Sequence, residues 1–388
     1  MSLQQGRPGR RAPPVSISRF APMQSDVPNG EALSEHPMGI KIIIFQPNLR
    51  SYRVQLFGQL AEFLNAQVEV VNFGVDESPK VRSFGVVPGR YIQLLHLHLT
   101  RLFIRERRVS DVSIVSLDLR WPLLVISAML FRPRRTIFWG HGLGRSKIGN
   151  YFRIFAMKRV AATIVYGPKE AAIVEAAGAP RDRVIVAPNT MWTENAVSCA
   201  RHPKKHFLYV GRLQHRKGLD ELLRGFAAYH RAVVASVPMK LVIVGDGPIR
   251  VELENLSRAL NIAESVMFWG AATDPEVLKE LFSGALAYVS PGHVGLGVLH
   301  AFSYGVPVIT QVHGQHAPEA QWLRHMENSI LIDEGPEHLA SGLIYASQDA
   351  EKCAEMGDSA FAVYSNEASP TAMLSGFARA IGVATGPS

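Results

Sequence analysis

The chain has 388 residues, 47% hydrophobic and 19% charged, with a formal net charge of +8. That composition is globular and suffices for two cores of roughly 150–180 residues each, so a single small domain and a wholly disordered chain are both excluded. No run of about 18 uncharged apolar residues occurs, which argues against a spanning helix. Cys199 and Cys353 stand far apart with no CxxC pair, which argues against a disulfide or thiolate metal site and suits a reducing cytoplasm. Residues 1–37 are rich in Gly, Pro, Ser and Arg and show no sustained apolar period, so they read as a flexible arm. They lack the apolar stretch of about 7–15 residues of a secretory signal. Met38 sits just before the first strand-like run, which leaves the arm open to being an artefact of start-codon choice.

The run Lys41 to Phe45 is short, apolar and continuous, as expected of a strand buried on both faces of a parallel sheet. Val54, Leu56, Phe57, Leu60 and Phe63 then recur at helical spacing, and Val68 to Val71 reads as the next strand. Further strands are predicted at Val112–Leu117, Thr136–Trp139, Thr163–Tyr166 and Val184–Val186, with a buried apolar helix from Trp121 to Phe131. A polar stretch near Trp192–Pro203 marks a boundary. The alternation then restarts with strands at Phe207–Val210, Leu241–Val244, Val266–Trp269, Ala287–Val289 and Pro307–Thr310. Helices are expected between them at Leu219–Arg231, Val251–Leu260, Pro275–Phe282 and after Gly297. This predicts an α/β chain of two Rossmann-like, doubly wound domains, 39–198 and 203–365, facing across a cleft.

Four loops of the second half fall at strand C-terminal ends, where open α/β sheets bind ligands. Gly211 to Gly218 places Arg212 and Lys217 beside a helix N-terminus, a setting that favours a diphosphate. Gly245 to Pro248, with Asp246, is a tight turn. Gly270 ends the third strand. Ser290 to Gly297, including His293, Gly295, Leu296 and Gly297, is glycine-rich, suits an anion and opens a helix carrying His300.

Taken in order, G-R-x4-K-G at Gly211–Gly218, V-G-D-G-P ending at Pro248, F-x-G at Phe268–Gly270, Ser290-Pro291 and G-x-P-V at Gly305–Val308 resemble the donor-binding domain of the retaining glycosyltransferase family 4, of the GT-B fold. The likeness spans roughly Phe207 to Ala346. The first half is similar more weakly, through Tyr52-Arg53, Gly140-His141-Gly142 and Pro188-Asn189. The resemblance implies a nucleotide-sugar donor in the second domain, an acceptor in the first, and a C-terminal helix within 366–388 crossing back to the first domain. It also implies one departure. The family carries two glutamates eight positions apart, near the donor sugar and the nucleotide ribose, and here those positions hold Gly292 and His300. His293 or the backbone of Gly295–Gly297 is expected to replace the sugar contact, and His300 to bind ribose or phosphate.

The expected mechanism stabilises the departing diphosphate on Arg212 and Lys217. No Asp-x-Asp pair occurs, so no metal and no cofactor are expected. His141, in a Gly-His-Gly loop after a strand, is the first domain's candidate for positioning the acceptor hydroxyl or moving its proton. Arg53 and Arg145 are candidates for a phosphate-bearing acceptor. His96 and His98 alternate with leucines and have no ligand-spaced partner for a metal. Thirteen Lys or Arg between Arg101 and Arg159, against Glu106, Asp111 and Asp118, form a basic stretch. With Phe131, Ile148, Tyr151, Phe152 and Phe155 it predicts peripheral attachment to an anionic membrane surface, while no aromatic–basic module points to nucleic acid. The function expected is transfer of a sugar to a saccharide or lipid-linked acceptor, in surface polysaccharide or glycolipid synthesis. A nucleotide-sugar epimerase or hydrolase, and a degenerate nucleotide-sugar-binding partner protein, are the alternatives.

Overall fold

A computed structural model describes residues 39–49, 51–74, 83–193, 196–233, 239–314 and 316–386. The arm expected at 1–37 lies outside these residues. The first domain runs β1 (Lys41–Gln46), α1 (Ser51–Phe63), β2 (Gln67–Asn72), β3 (Gly85–Pro88), β4 (Tyr91–Leu94), β5 (Leu97–Thr100), α2 (Ile104–Val109), β6 (Val112–Ser116), α3 (Pro122–Leu130), β7 (Thr136–Trp139), α4 (Lys147–Met157), β8 (Ala162–Val165), α5 (Pro168–Ala176) and β9 (Val184–Val186). Seven of these strands form a parallel sheet in the order β3-β2-β1-β6-β7-β8-β9, while β4 and β5 make a separate antiparallel hairpin. The inner strands are buried along almost their whole length, Ser113, Thr136 and Thr163 included, because helices cover both faces.

The second domain runs β10 (His206–Val210), α6 (Leu219–Ala232), β11 (Lys240–Val244), α7 (Arg250–Ala259), β12 (Val266–Gly270), α8 (Pro275–Ser283), β13 (Ala285–Val289), α9 (Gly297–Phe302), β14 (Val308–Gln311), β15 (Ser329–Ile332), α10 (Pro336–Gln348) and α11 (Ala350–Glu367). Its six parallel strands are ordered β12-β11-β10-β13-β14-β15. Each sheet therefore reverses its winding once, between β1 and β6 and between β10 and β13, and opens a crevice beyond the strand ends there.

Helix α12 (Pro370–Thr385) begins on Ser369, whose side chain accepts from Ala372 N, with Pro370 at its first position. Met373, Leu374, Phe377 and Ile381 of α12 are buried in the first domain's core with Ile42, Ile44 and Trp139. Because α11 packs in the second domain, the last helix ties the two domains together.

Two sequence readings are corrected. The helix from Trp121, expected to be buried, leaves Ile126 and Leu130 exposed, since only one side of α3 meets the sheet. The basic stretch is not wholly a surface. Arg107 is buried, donating through Nη2 to Thr136 Oγ1 (2.6 Å) and Phe131 O (3.2 Å), and burial lowers its pKa to about 10. Arg132 Nη1 donates to the carbonyls of Arg107, Arg108 and Ser110 after the short α2. Both arginines are structural.

Candidate active site

The first domain's crevice is a cavity of about 580 Å³ lined by Gln46, Arg53, Asp118, Arg120, His141 and Arg153, among others. Arg53 enters from α1. Its Nη1 donates to Gln46 Oε1 (3.0 Å) and its Nη2 to Tyr166 Oη (3.3 Å), while the guanidinium lies 4.2 Å from the centre of the Trp139 ring. Such a planar cation, held by two bonds and an aromatic face, is pre-organised for an anion or a sugar hydroxyl. Asp118 and Arg120 pair through three bonds of 2.6–3.0 Å. Burial alone would raise the Asp118 carboxyl, but Arg120, with Arg153 behind it, holds it below the ordinary carboxylate range. Arg145 does not line this cavity. Arg153, in the second turn of α4, takes that place.

His141 projects from the loop after β7, edge-to-face with Tyr166 at 5.1 Å between ring centres, with its side chain largely exposed. Its Nδ1 lies 3.5 Å from Glu170 Oε1. Glu170 sits in the first turn of α5 and accepts from Tyr166 N with its other oxygen (2.9 Å), so a backbone bond fixes the carboxylate. An imidazole oriented by a fixed carboxylate is suited to accepting a proton on its far nitrogen. Glu170 was not among the sequence candidates. Its only signal is its place three residues after a Gly-Pro helix start.

In the second domain the crevice is built largely from backbone. Gly211 N donates to Val244 O, Gly245 N to Gly270 O (2.7 Å), and Asp246 Oδ1 accepts from Gly247 N (2.7 Å). Asp246 thus closes its turn locally. Gly270 has φ +90°, and a Cβ on Gly247 would stand 2.2 Å from Leu213 O. Arg212 is exposed at the mouth, and Tyr209 Oη donates to its carbonyl. Lys217 Nζ donates to His293 O (2.6 Å), and burial, assisted by Arg216, lowers its pKa to about 8. His293 is likewise held below its ordinary pKa by burial and by Lys217, and its Nδ1 has no hydrogen-bond partner. Ser290 is buried, with its carbonyl accepting from Thr310 Oγ1 (2.7 Å).

The glycine at 292 has a steric cause. The 290–297 loop lies along the 216–218 loop, with Gly292 N donating to Lys217 O (3.2 Å) and His293 N to Arg216 O (2.9 Å). A Cβ on Gly292 would stand 2.5 Å from Lys217 C and 2.6 Å from Arg216 O. No side chain fits there. Gly297 is similarly pressed, with Tyr288 Oη 2.5 Å from where its Cβ would be. His300 corrects an expectation. It is buried, 4.5 Å from the Phe282 ring centre and 5.7 Å from that of Tyr304, and burial lowers its pKa to about 4. A neutral, packed imidazole supplies no charge to a phosphate.

One carboxylate reaches this region from elsewhere. Glu319, in the 3-10 turn Pro318–Trp322 after β14, is 3% exposed. Its Oε1 accepts from Asn189 Nδ2 of the first domain, while its buried Oε2 has no partner. Oε2 lies 3.7 Å from the position of a Cβ on Gly295, so the carboxylate borders the glycine loop. Burial raises its pKa, and it is within electrostatic reach of His141 and Glu170. An unbonded carboxylate oxygen at this depth costs free energy unless a ligand satisfies it. Gln321 of the same turn bonds the first domain, accepting from Lys169 N (3.2 Å) and donating to Tyr166 O (3.4 Å). Among the described residues, no group of three or more His, Cys, Asp or Glu could hold a metal ion.

Residues 191–363 match the family model described as Glycosyl transferases group 1. An uncharacterized glycosyltransferase of Methanocaldococcus jannaschii is 30% identical over 144 residues, 36% of this chain and 35% of that protein. A glycosyltransferase from Rickettsia africae superposes with a TM-score of 0.69 at 13% identity, covering 90% of this chain and 100% of that structure. HepE of Anabaena, solved in complex with UDP, gives 0.66 at 15% identity, with coverage of 89% and 100%. The chain spans about a third to a half of the length of the curated relatives it matches. The fold is that of the GT-B glycosyltransferases, and the likeness to group 1 glycosyl transferases covers residues 191–363.

Proposed function

We propose that this protein transfers a sugar from a nucleotide-diphosphate donor, held in the second domain, to a hydroxyl of a saccharide or lipid-linked acceptor held in the first. The observation that carries the reading is the convergence of His141–Glu170 from one domain with Glu319 and Lys217 from the other. Arg212 and Lys217 stabilise the charge that develops on the departing diphosphate. Glu319 Oε2 accepts a hydroxyl of the donor sugar, a contact that no side chain at Gly292 could make. His141, oriented by Glu170, positions the acceptor hydroxyl. The resemblance to family 4 supports retention at the anomeric carbon, and the UDP bound by Anabaena HepE supports uridine as the base. Synthesis of a surface polysaccharide or glycolipid fits such an acceptor.

Thermal unfolding with UDP, GDP, dTDP and ADP tests the donor site. UDP at a hundred times its Kd stabilises by about 2.7 kcal/mol, and Arg212→Ala abolishes the shift. Absence of a shift with all four nucleotides overturns the reading. Glu319 also supports a second reading, a nucleotide-sugar hydrolase or epimerase, because it is a carboxylate near the donor sugar. Consumption of UDP-sugar at full rate without acceptor distinguishes it.

A further inference from the structure

Two apolar elements of the first domain face solvent, and both pack on the loop that lines the acceptor crevice. The first is the β4–β5 hairpin. Ile92 is 73% exposed, Leu94 56% and Leu95 85%, with Leu97 exposed as well. Its tip is Leu95-His96, with Leu95 at φ +54°. A two-residue hairpin tip favours Asn or Gly at positive φ, so a leucine there is unfavourable both in backbone and in exposure. Folding alone gives no reason for it.

The second is α4, on which Ile148, Tyr151, Phe152 and Phe155 are exposed. Their spacing of three, one and three residues puts them on one helical stripe, while Ile154 and Met157 are buried on the inner side. An amphipathic helix normally turns its apolar stripe inward; α4 carries a second one outward.

Both elements meet the loop 117–121. The hairpin's His98 N donates to Arg120 O (2.6 Å), and its ring stacks on Trp121 at 4.6 Å. On the other side, Gly149 of α4 adjoins Leu119, and Arg153 of α4 lines the crevice with Asp118 and Arg120. Cations rim both elements: Arg90 beside the hairpin, where the neighbouring Arg101 is paired with Glu106, and Lys147, Lys158 and Arg159 on or beside α4. Arg159 lies 4.5 Å from the Phe155 ring centre. Neither Tyr91–Thr100 nor Lys147–Met157 contains an acidic residue.

We infer that the hairpin and α4 are two prongs of a membrane-docking face that seats the acceptor crevice against an anionic bilayer. Exposed leucines and aromatics enter the headgroup–acyl boundary, and the surrounding Lys and Arg meet the lipid phosphates, the combination that holds interfacial proteins. Charge complementarity selects this occupant: a second copy of the chain would bring a like-charged face to it. That the acceptor is lipid-borne rests on the transferase reading above, whereas the docking face does not.

The test is flotation of the full chain with phosphatidylglycerol-containing and with pure phosphatidylcholine vesicles, at low and high salt. The chain floats with the anionic vesicles and is partly released by salt. Leu94→Gln/Leu95→Gln and, separately, Tyr151→Ser/Phe152→Ser each reduce partitioning by about tenfold or more, since burying one such side chain favours transfer by well over tenfold. Val251→Gln, which removes an exposed apolar side chain of the second domain, leaves flotation unchanged. The inference is overturned if the wild-type chain stays unbound, or if the paired variants float as it does. It is equally overturned if light scattering shows a dimer that those substitutions dissociate. UDP stabilisation of the same variants separates the two readings. Flotation without any nucleotide shift keeps the docking face and removes the donor site; a nucleotide shift without flotation does the reverse.

Discussion

The two crevices occupy the same topological position, yet they are built in opposite ways. In the second domain, shape comes from backbone: glycines at 245, 247 and 292 let loops approach so closely that a Cβ would stand 1.9–2.5 Å from a neighbouring backbone atom. In the first domain, shape comes from side chains. Arg53, Asp118, Arg120, His141 and Arg153 arrive from α1, two loops and α4; Gln46 and Tyr166 hold Arg53, Glu170 faces His141, and Asp118 pairs with Arg120. A crevice made of backbone is intolerant of any substitution at its close approaches. A crevice made of side chains can be altered one contact at a time.

The largest expected effect tests the backbone-built side. Gly292→Glu, which restores the residue type of the family pattern, collides with Lys217 and Arg216, so it costs about 3 kcal/mol or more in denaturant unfolding and abolishes UDP stabilisation. A stable, UDP-binding Gly292→Glu protein would show the two loops to be less closely apposed than the contacts imply.

Next come the side chains that meet between the domains. His141→Ala and Glu319→Gln each lower sugar transfer by about 10²-fold or more while leaving UDP stabilisation within a factor of a few. Glu170→Gln has a smaller effect, about tenfold, because it removes an orienting partner and leaves the imidazole itself. If Glu319→Gln transfers at the wild-type rate, the carboxylate serves only its bond to Asn189.

Lys217 gives a pH signature. Its folded pKa of about 8 lies below the ordinary 10.5, so the unfolded chain holds the extra proton between these values. By linkage the ligand-free protein gains stability from this group as pH rises from about 8 to 10.5. UDP binding needs the ammonium and runs the other way, weakening by up to tenfold per unit above about pH 8. Calorimetry in two buffers of different ionisation enthalpy reads the accompanying proton uptake. Affinity that stays flat to pH 9.5 removes Lys217 from diphosphate binding.

The smallest effect is at the domain contact. Gln321→Ala removes two inter-domain bonds near the surface and costs about 0.5–1.5 kcal/mol in unfolding. A larger loss would mean that the turn Pro318–Trp322, rather than α12, holds the domains together.

What the amino-acid sequence determined by itself is the double α/β alternation and the second domain's loops. Strands buried on both faces must be continuously apolar, and close loop approaches must be glycine, so both are written locally, as at Ile42–Phe45 and Gly245–Gly247. The sequence also brought His141 and Arg53 into view, because each follows a strand end. Tertiary structure alone decided the rest. Glu319 lies 27 residues beyond Gly292 in the chain and meets the glycine loop only through the β14 turn. Glu170 reaches His141 only because β7 and β8 are neighbours. Burial turned two expected surface or ligand-facing groups, Arg107 and His300, into core members. Local sequence records what each backbone position tolerates; which side chains meet depends on strand order and loop apposition, which no local pattern carries.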